Sequence, residues 1–412
     1  MEDSVPAAPP PLGPVSLAER FEAIDVVRGL ALFGIIASNM RAFNGPMAAY
    51  MDHSLMWTDP VSRVTQAFLD VLVSGKFITI FSFLFGIGFA IQMDRAEARG
   101  LGRRGFYLRR LTVLLLLGLI HGFLVWWGDI LAPYALMGFC LYGFRKESPG
   151  TILIWAAALY SWPWIVNLTM LLAEMAGAKI PMPPPTTAAE LARLIRVHAS
   201  GGYLEILAER AKDMGFSAFG VFFFYPRLLG IFLAGLWVWR SGLVRSLASN
   251  AALLRRCQTW GLALGLPLNL AMMAIGEIFH PNPVAPSVSG FWYQMAGGLG
   301  MPLLSLFYVS TVARLFLDPE WRARLHGFAA IGRTALSNYL AQSVVCTLIF
   351  YGYGLGFYGQ CPPLPGLALS ILIYGLQVPL SVWWTRRYAF GPAEWVWRAL
   401  TYGVRPAFSA TR

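Results

Sequence analysis

Three ionisable side chains, Lys76, His121 and Arg227, sit inside long apolar runs, where a charge is expensive. Asp70, Asp129, Glu277 and His280 fall near the edges of such runs. The spacing with the clearest chemical content is His121 to Asp129, about two helical turns along the chain. An imidazole titrates near neutrality, and a carboxylate on one ring nitrogen fixes the tautomer and raises the basicity of the other. In a cavity that excludes water, such a pair could take the proton from a hydroxyl or amine nucleophile. Asp70 or Glu277 could supply the carboxylate instead, and a buried histidine donating to a neighbouring helix carbonyl is the structural alternative. Lys76 and Asn39 are candidates to stabilise the oxyanion that acyl transfer would generate. Lys76 and Arg227 could equally form ion pairs with Asp70 or Glu277 that hold helices together, or serve as the coupling charges of a transporter.

What must position these groups is a membrane-embedded scaffold. The 412 residues are 57% hydrophobic and 13% charged, with mean hydropathy +0.57, whereas a soluble domain carries about 25% charged residues. A soluble enzyme is excluded on this composition. The net charge is +11, but the basic residues cluster between apolar runs, as helix orientation requires. No nucleic-acid module is present. The four cysteines lack metal-ligand or disulfide-framework spacing, and no metal site is expected. There is no HExxH, Walker or nucleophile-elbow motif.

A hydrocarbon core about 30 Å thick needs roughly 20 apolar residues per helix. Runs at 26–43, 67–93, 111–127, 130–144, 151–173, 216–239, 258–279, 291–316, 331–351 and 366–384 predict about ten spans in an all-α polytopic protein. The third and fourth, separated only by Gly128 and Asp129, predict a tight helical hairpin. The segments on the side of the termini hold 23 Lys and Arg, and the opposite connections hold 7, which predicts both termini in the cytosol. Residues 1–20, rich in proline, read as a disordered cytosolic tail. Residues 21–173 and 216–412 form two five-helix halves, joined by an extracytoplasmic loop at 174–215. That loop opens with Pro181, Pro183, Pro184 and Pro185 and continues with helical periodicity at Leu191, Leu194, Ile195 and His198. It reads as an interfacial helix, or as a lid over an outward-facing site.

The inner basic run Arg95, Arg99, Arg103, Arg104, Arg109, Arg110 has two readings. It sets orientation, or it grips an anionic donor such as the nucleotide end of acyl-CoA, because arginine forks suit phosphates. Asp25 and Arg28 could likewise be a helix cap with its ion pair, or part of a substrate site.

Several blocks resemble the YeiB-like bacterial membrane proteins. They are Ile24-Asp25-Val26-Val27-Arg28-Gly29 with Ser38-Asn39, Lys76-Phe77 through Gly86-Ile87-Gly88, and Gly118-Leu119-Ile120-His121-Gly122 with Gly128-Asp129. Further blocks are Gly332-Arg333-Thr334-Ala335-Leu336-Ser337-Asn338-Tyr339-Leu340-Ala341-Gln342-Ser343 and Gly391-Pro392-Ala393-Glu394-Trp395-Val396-Trp397-Arg398. The resemblance runs from about residue 20 to near the end and implies a multi-pass protein of the bacterial inner membrane. The first half is also distantly similar to transmembrane acyltransferases such as heparan-alpha-glucosaminide N-acetyltransferase, through Asp25, Arg28 and Gly29. That likeness implies an acyl-CoA donor, an envelope glycan or lipid acceptor, and a role for Asn39. His53 lies near the position of that enzyme's histidine, but with a different gap, so His53 and His121 both stand as candidate functional histidines. The candidate catalytic set is His121, Asp129, Asn39 and Lys76. The candidate substrate-binding set is Asp25, Arg28, Arg109, Arg110, Arg227, Asn338 and Gln342.

Overall fold

The computed structural model describes residues 21–52, 55–98, 103–180, 186–217, 220–244, 247–279 and 286–409. The expected tail 1–20, His53, Arg99, His280 and the prolines of 181–185 lie outside the described residues. Hydrocarbon offers the backbone no hydrogen bonds, so a chain this apolar satisfies its amides within helices. Among the described residues the only β pairing is one isolated bridge, Tyr388 to Ser409.

The first half comprises α1 (Glu22–Asn44), the short α2 (Met47–Met51), α3 (Pro60–Leu72), α4 (Lys76–Ala98), α5 (Arg103–Ile120), α6 (Leu131–Gly143) and α7 (Pro149–Met175). Two helices follow in the loop, α8 (Ala188–Ser200) and α9 (Tyr203–Ser217). Then come α10 (Gly220–Arg240), α11 (Ala251–Phe279), α12 (Val288–Phe316), α13 (Pro319–Arg324), α14 (His326–Arg333), α15 (Ala335–Phe350), α16 (Pro363–Thr385) and α17 (Pro392–Tyr402). All ten expected spans fall on helices. Among the described residues eight are long and apolar enough to cross a membrane. The other two, α6 and α15, have 13 and 16 residues. Large apolar side chains such as Ile154, Leu172, Leu372 and Leu376 remain exposed on the outer faces of α7 and α16, where acyl chains would cover them.

Two expected spans are interrupted. The second breaks between Leu72 and Lys76, where Gly75 takes φ +80°, so α3 and α4 meet at a bend. The ninth breaks at Thr334, between α14 and α15. Both ends of the described chain share one end of the bundle, the basic one: Arg322 on α13 pairs with Glu22 at 2.6 Å, and Trp397 on α17 donates to Arg110 O at 3.0 Å.

The closest helix pairing relevant to the site is α1 on α14. A Cβ at Gly29 would run into Phe328 O, and one at Gly332 into Asp25 O, so backbone meets backbone on both sides. Neither partner is a side chain that can swing away. Gly29→Val or Gly332→Val is therefore expected to destabilise the bundle by about 2–3 kcal/mol or more. Gly88→Val, whose Cβ meets nothing within 4 Å, should leave stability unchanged. Thermal unfolding in detergent, followed by the loss of monodisperse protein, checks the contrast.

Candidate functional site

The site begins where α5 loses its regular pitch. Residues His121–Val125 form a π-helical turn, in which the Trp126 N–H reaches His121 O at 2.9 Å. The wider turn swings the chain back toward α5 and carries Asp129 alongside His121. Gly118, one turn earlier, leaves the necessary space, since a Cβ there would lie 2.9 Å from Asp129 Oδ2. The carboxylate is held at both oxygens. Oδ2 accepts from the Ala132 N–H at 2.7 Å, at the start of α6, and Oδ1 lies 2.8 Å from His121 Nδ1. The two side chains are 2% and 1% exposed. A carboxylate on Nδ1 keeps the proton there, so the lone pair sits on Nε2. Nε2 is buried and has no hydrogen-bond partner among the described residues. Of the alternatives the sequence left open for His121, the structure takes the carboxylate pair with Asp129.

Beside this couple runs a cavity of about 310 Å³. One face each of α1 (Asp25, Arg28, Leu32, Ile35) and α4 (Phe81, Leu84, Gly88, Gln92, Arg95) lines it, with Tyr107, Arg110, Leu111 and Leu114 from α5. From Phe21 to Ile35 it extends about 20 Å along α1, at 1.5 Å per residue. Its inner end is bounded by Ile130, Tyr134 and Tyr339. The Tyr339 ring lies 5.2 Å from the His121 ring, and its hydroxyl donates to Gly128 O at 3.4 Å. The Tyr134 hydroxyl shares a 2.7 Å hydrogen bond with Ser82. Tyr339 thus stands between the cavity and the histidine.

The opposite end is basic. Arg28, Arg95, Arg110, Arg333 and Arg398 line it against two acids, Asp25 and Glu394. Both acids are engaged: Asp25 pairs with Arg28 at 2.7 Å, while Glu394 accepts from the Leu336 N–H at 2.7 Å and from the Ser337 hydroxyl at 2.5 Å. Burial pushes the Glu394 carboxyl up from its usual range. The Arg110 guanidinium lies 3.6 Å over the Trp397 ring of α17, which fixes its plane. Gln92 Oε1, Tyr107 Oη and Arg333 Nε are buried in this wall without hydrogen-bond partners among the described residues. A flat, arginine-rich mouth with unsatisfied polar atoms suits a phosphate-bearing ligand.

The structure sorts the sequence candidates by place. His121 and Asp129 come together, and Asp25, Arg28 and Arg110 line the cavity. Arg109 does not, because it is exposed on the other face of α5, near Gly403. Lys76, 0% exposed, donates to Asp70 O at 2.5 Å and so caps the end of α3 at the bend, instead of facing an oxyanion. Arg227 donates to Tyr160 O and lies over the Tyr160 and Trp164 rings at 5.0 and 5.4 Å, and Glu277 pairs with Arg63. For Arg227 the reading of an ion pair with Asp70 or Glu277 thus gives way to cation–π packing of α10 on α7. Asn338 and Gln342 bind Ser381 and Gln377 of α16 at 3.0 and 2.8 Å, which makes them helix–helix ties. Asn39 is half-buried on α1, outside the cavity wall. The mouth residues Arg333, Glu394 and Arg398 stood in the family blocks without an assigned role. Their distance in sequence from Arg28 and Arg110 hid the grouping.

The loop helices fold over the far end of the couple. The Tyr203 hydroxyl donates to Leu124 O at 2.8 Å and Arg210 Nη1 to Phe123 O at 3.0 Å, taking up carbonyls of the π turn. A Cβ at Gly122 would lie 3.0 Å from Met214 Cε, so α9 rests directly on that turn. The loop thus covers the π turn, a position compatible with both of its readings. Within α9, burial and the nearby Glu209 push Asp213 up to about 6, while hydrogen bonds from Arg193 hold Glu209 down to about 2. A carboxyl raised in the folded state penalises folding once pH exceeds its unfolded value of 3.8, fully so above about 6. His198 on α8, lowered by burial, works oppositely as pH falls. Asp213→Asn is therefore expected to slow hydrogen exchange across 203–217 at pH 7.5, with the difference from wild type shrinking toward nothing near pH 4.

The fold and site define a multi-pass, all-α membrane protein with a buried histidine–aspartate couple beside an arginine-mouthed cavity. Residues 238–404 match the family described as Protein of unknown function (DUF418). The chain is 33% identical to the uncharacterized protein YxaH of Bacillus subtilis, over 95% of this chain and 96% of that protein. It is 31% identical to the uncharacterized protein YeiB of Escherichia coli, over 95% and 99% respectively. A 39.9 kDa protein encoded in the amylase 3' region of Bacillus acidopullulyticus is 29% identical over 95% and 96%. The chain belongs to the YeiB-like family.

Proposed function

We propose that the protein transfers an acyl group from acyl-CoA, bound through the basic mouth, to a hydroxyl or amine acceptor, an envelope glycan or lipid, reaching the couple from the opposite end. In this reading the protein sits in the bacterial inner membrane with the mouth in the cytosol and the cap outside, which the Lys/Arg bias supports. The observation that carries this reading is the unpartnered His121 Nε2, backed by Asp129, next to the inner end of a cavity whose mouth is built of arginines.

In this reading the arginines hold the donor's phosphates, and the thioester arm lies along Leu32, Leu84, Leu111 and Leu114. His121 Nε2 removes the acceptor's proton as its oxygen or nitrogen bonds to the thioester carbonyl carbon. The Tyr134 hydroxyl, which donates to Ser82 Oγ while Ser82 donates to Ile78 O, would turn its proton onto the resulting oxyanion, in place of Lys76 and Asn39. Collapse breaks the carbon–sulfur bond, and the imidazolium returns the proton to the departing thiolate, giving acylated acceptor and free CoA. Asp129, still ionised, stabilises the imidazolium in between. Transport by Lys76, Arg227 and Glu277 has less support, because these groups are engaged on separate helices.

Purified protein in liposomes is expected to release free thiol from acyl-CoA only when an acceptor is present, with the label appearing in the acceptor. Absence of turnover across hydroxyl and amine acceptors, or flux of an unmodified solute, would overturn the reading.

A further inference from the structure

The cap over the π turn contains hydrogen-bond donors with nothing to receive them. Arg210 on α9 is 1% exposed, and only one of its nitrogens is used, Nη1 on Phe123 O. Its Nε and Nη2 are buried without partners among the described residues, and so is the hydroxyl of Tyr351. The two side chains are neighbours, with the guanidinium carbon 5.7 Å from the Tyr351 ring centroid. Tyr351, 1% exposed, is itself wedged among His198, Tyr353 and Tyr358.

A buried unmade bond is costly, and more so on a charged group, so clustered orphan donors mark a missing acceptor. The neighbouring charges do not supply one. Glu209 is committed to Arg193 and Lys212, at 2.9 Å each, and forms no ion pair with Arg210. Asp213, the other carboxyl of α9, acts on the guanidinium through its charge but forms no ion pair with it among the described residues. His198 spends Nδ1 on Leu194 O and stacks on Tyr358. The guanidinium thus keeps a free edge of two N–H groups, Nε and Nη2, the geometry that receives an oxyanion.

We infer that Arg210 and Tyr351 form a subsite for an oxyanion, a carboxylate or phosphate carried by the acceptor, at the outer end of the His121–Asp129 couple. The inference rests on the acyl-transfer reading for the word acceptor only, since anion binding itself is measured without turnover. Arg210 is tied to a carbonyl two residues after His121, and Met214, one turn further along α9, packs on Gly122. An anion seated there would place the rest of the molecule beside the base.

The test uses the full chain in nanodiscs and inorganic phosphate as the probe, read by hydrogen exchange of residues 203–217, so that phosphate at the arginine mouth does not enter the signal. Millimolar phosphate should slow exchange there in wild type and not in Arg210→Gln. Glutamine keeps a donor for Phe123 O, so matching exchange without phosphate shows that the cap is intact in the variant. Tyr351→Phe should weaken the phosphate effect by about threefold to tenfold, as loss of one neutral-donor bond does. No protection in wild type, or equal protection in Arg210→Gln, overturns the subsite and means that water alone meets the orphan donors.

The second arm compares glucose, glucose 6-phosphate and glucuronate as acceptors with acetyl-CoA. A preference for either anion that is lost in Arg210→Gln assigns the subsite to the acceptor. Phosphate protection with no such preference limits it to a free inorganic anion and overturns the acceptor role. Turnover absent with every acceptor while protection persists overturns the acyl-transfer reading and leaves the anion site standing.

Discussion

Asp129→Asn is expected to lower acyl transfer by about 10²–10⁴-fold while leaving the bundle folded, because it reverses the tautomer of His121. Asparagine can keep the bond from the Ala132 N–H through its carbonyl oxygen, which turns its NH₂ toward Nδ1. Nδ1 must then accept, the proton moves to Nε2, and the base is lost without loss of packing. His121→Ala should remove at least as much activity, but it also strands a carboxylate that is 1% exposed, so part of its effect would be structural. The asparagine variant is therefore the sharper measurement. Initial rates of thiol release at saturating donor, with unfolding in detergent as the control, decide it. An Asp129→Asn protein as active as wild type would remove His121 from the chemistry.

Filling the cavity is expected to act on donor binding. Gly88 lies on the cavity face of α4, about halfway between the basic mouth and Tyr134, and a Cβ there meets nothing within 4 Å. Gly88→Trp should therefore leave the helix contacts of α4 untouched and place an indole where the thioester arm runs. Overfilling a defined space costs about 1–3 kcal/mol, which raises donor KM by roughly 10–100-fold. Gly88→Ala should change KM little. Equilibrium binding of labelled acyl-CoA to both variants separates an obstruction from a folding defect, and unchanged binding to Gly88→Trp would place the donor elsewhere.

These two substitutions differ in how far their targets could be read without coordinates. His121 and Asp129 lie eight residues apart across one hairpin, so their meeting is close to a local property of the chain. What the spacing did not supply is the π turn, which decides that the carboxylate meets Nδ1 and leaves Nε2 free. Gly86 and Gly88 stood together in one family block without an assigned role. A Cβ at Gly86 would fall on Phe232 O, so that glycine serves close helix approach, whereas Gly88 opens into the cavity. Two glycines two residues apart point to different faces of a helix, and only the packing partner tells which is which.

Lys76 and Arg227 show the converse. Both were marked because ionisable groups inside apolar runs are rare, and that inference correctly found buried groups that need partners. The partner is a property of the tertiary arrangement: a helix-end carbonyl for Lys76 at an unforeseen bend, and aromatic faces on α7 for Arg227. Asn338 and Gln342 stood in the candidate substrate-binding set, and in the structure they tie α15 to α16. Intramembrane polarity locates constraint, and coordinates are needed to say whether the constraint is structural or chemical.

Composition, run length and the asymmetry of Lys and Arg by themselves determined the class of protein, the ten helical segments and the expected orientation, because the bilayer acts on each segment separately through burial and charge. The breaks at Gly75 and Thr334, the cap of α9 on the π turn and the arginine mouth were decided only by tertiary structure. The mouth draws Arg28, Arg110, Arg333 and Arg398 from segments more than 300 residues apart at the extremes. No local pattern specifies that meeting. It follows from reciprocal close packing of α1 on α14 and from Trp397 of α17 lying against Arg110, contacts that exist once the helices have chosen their neighbours.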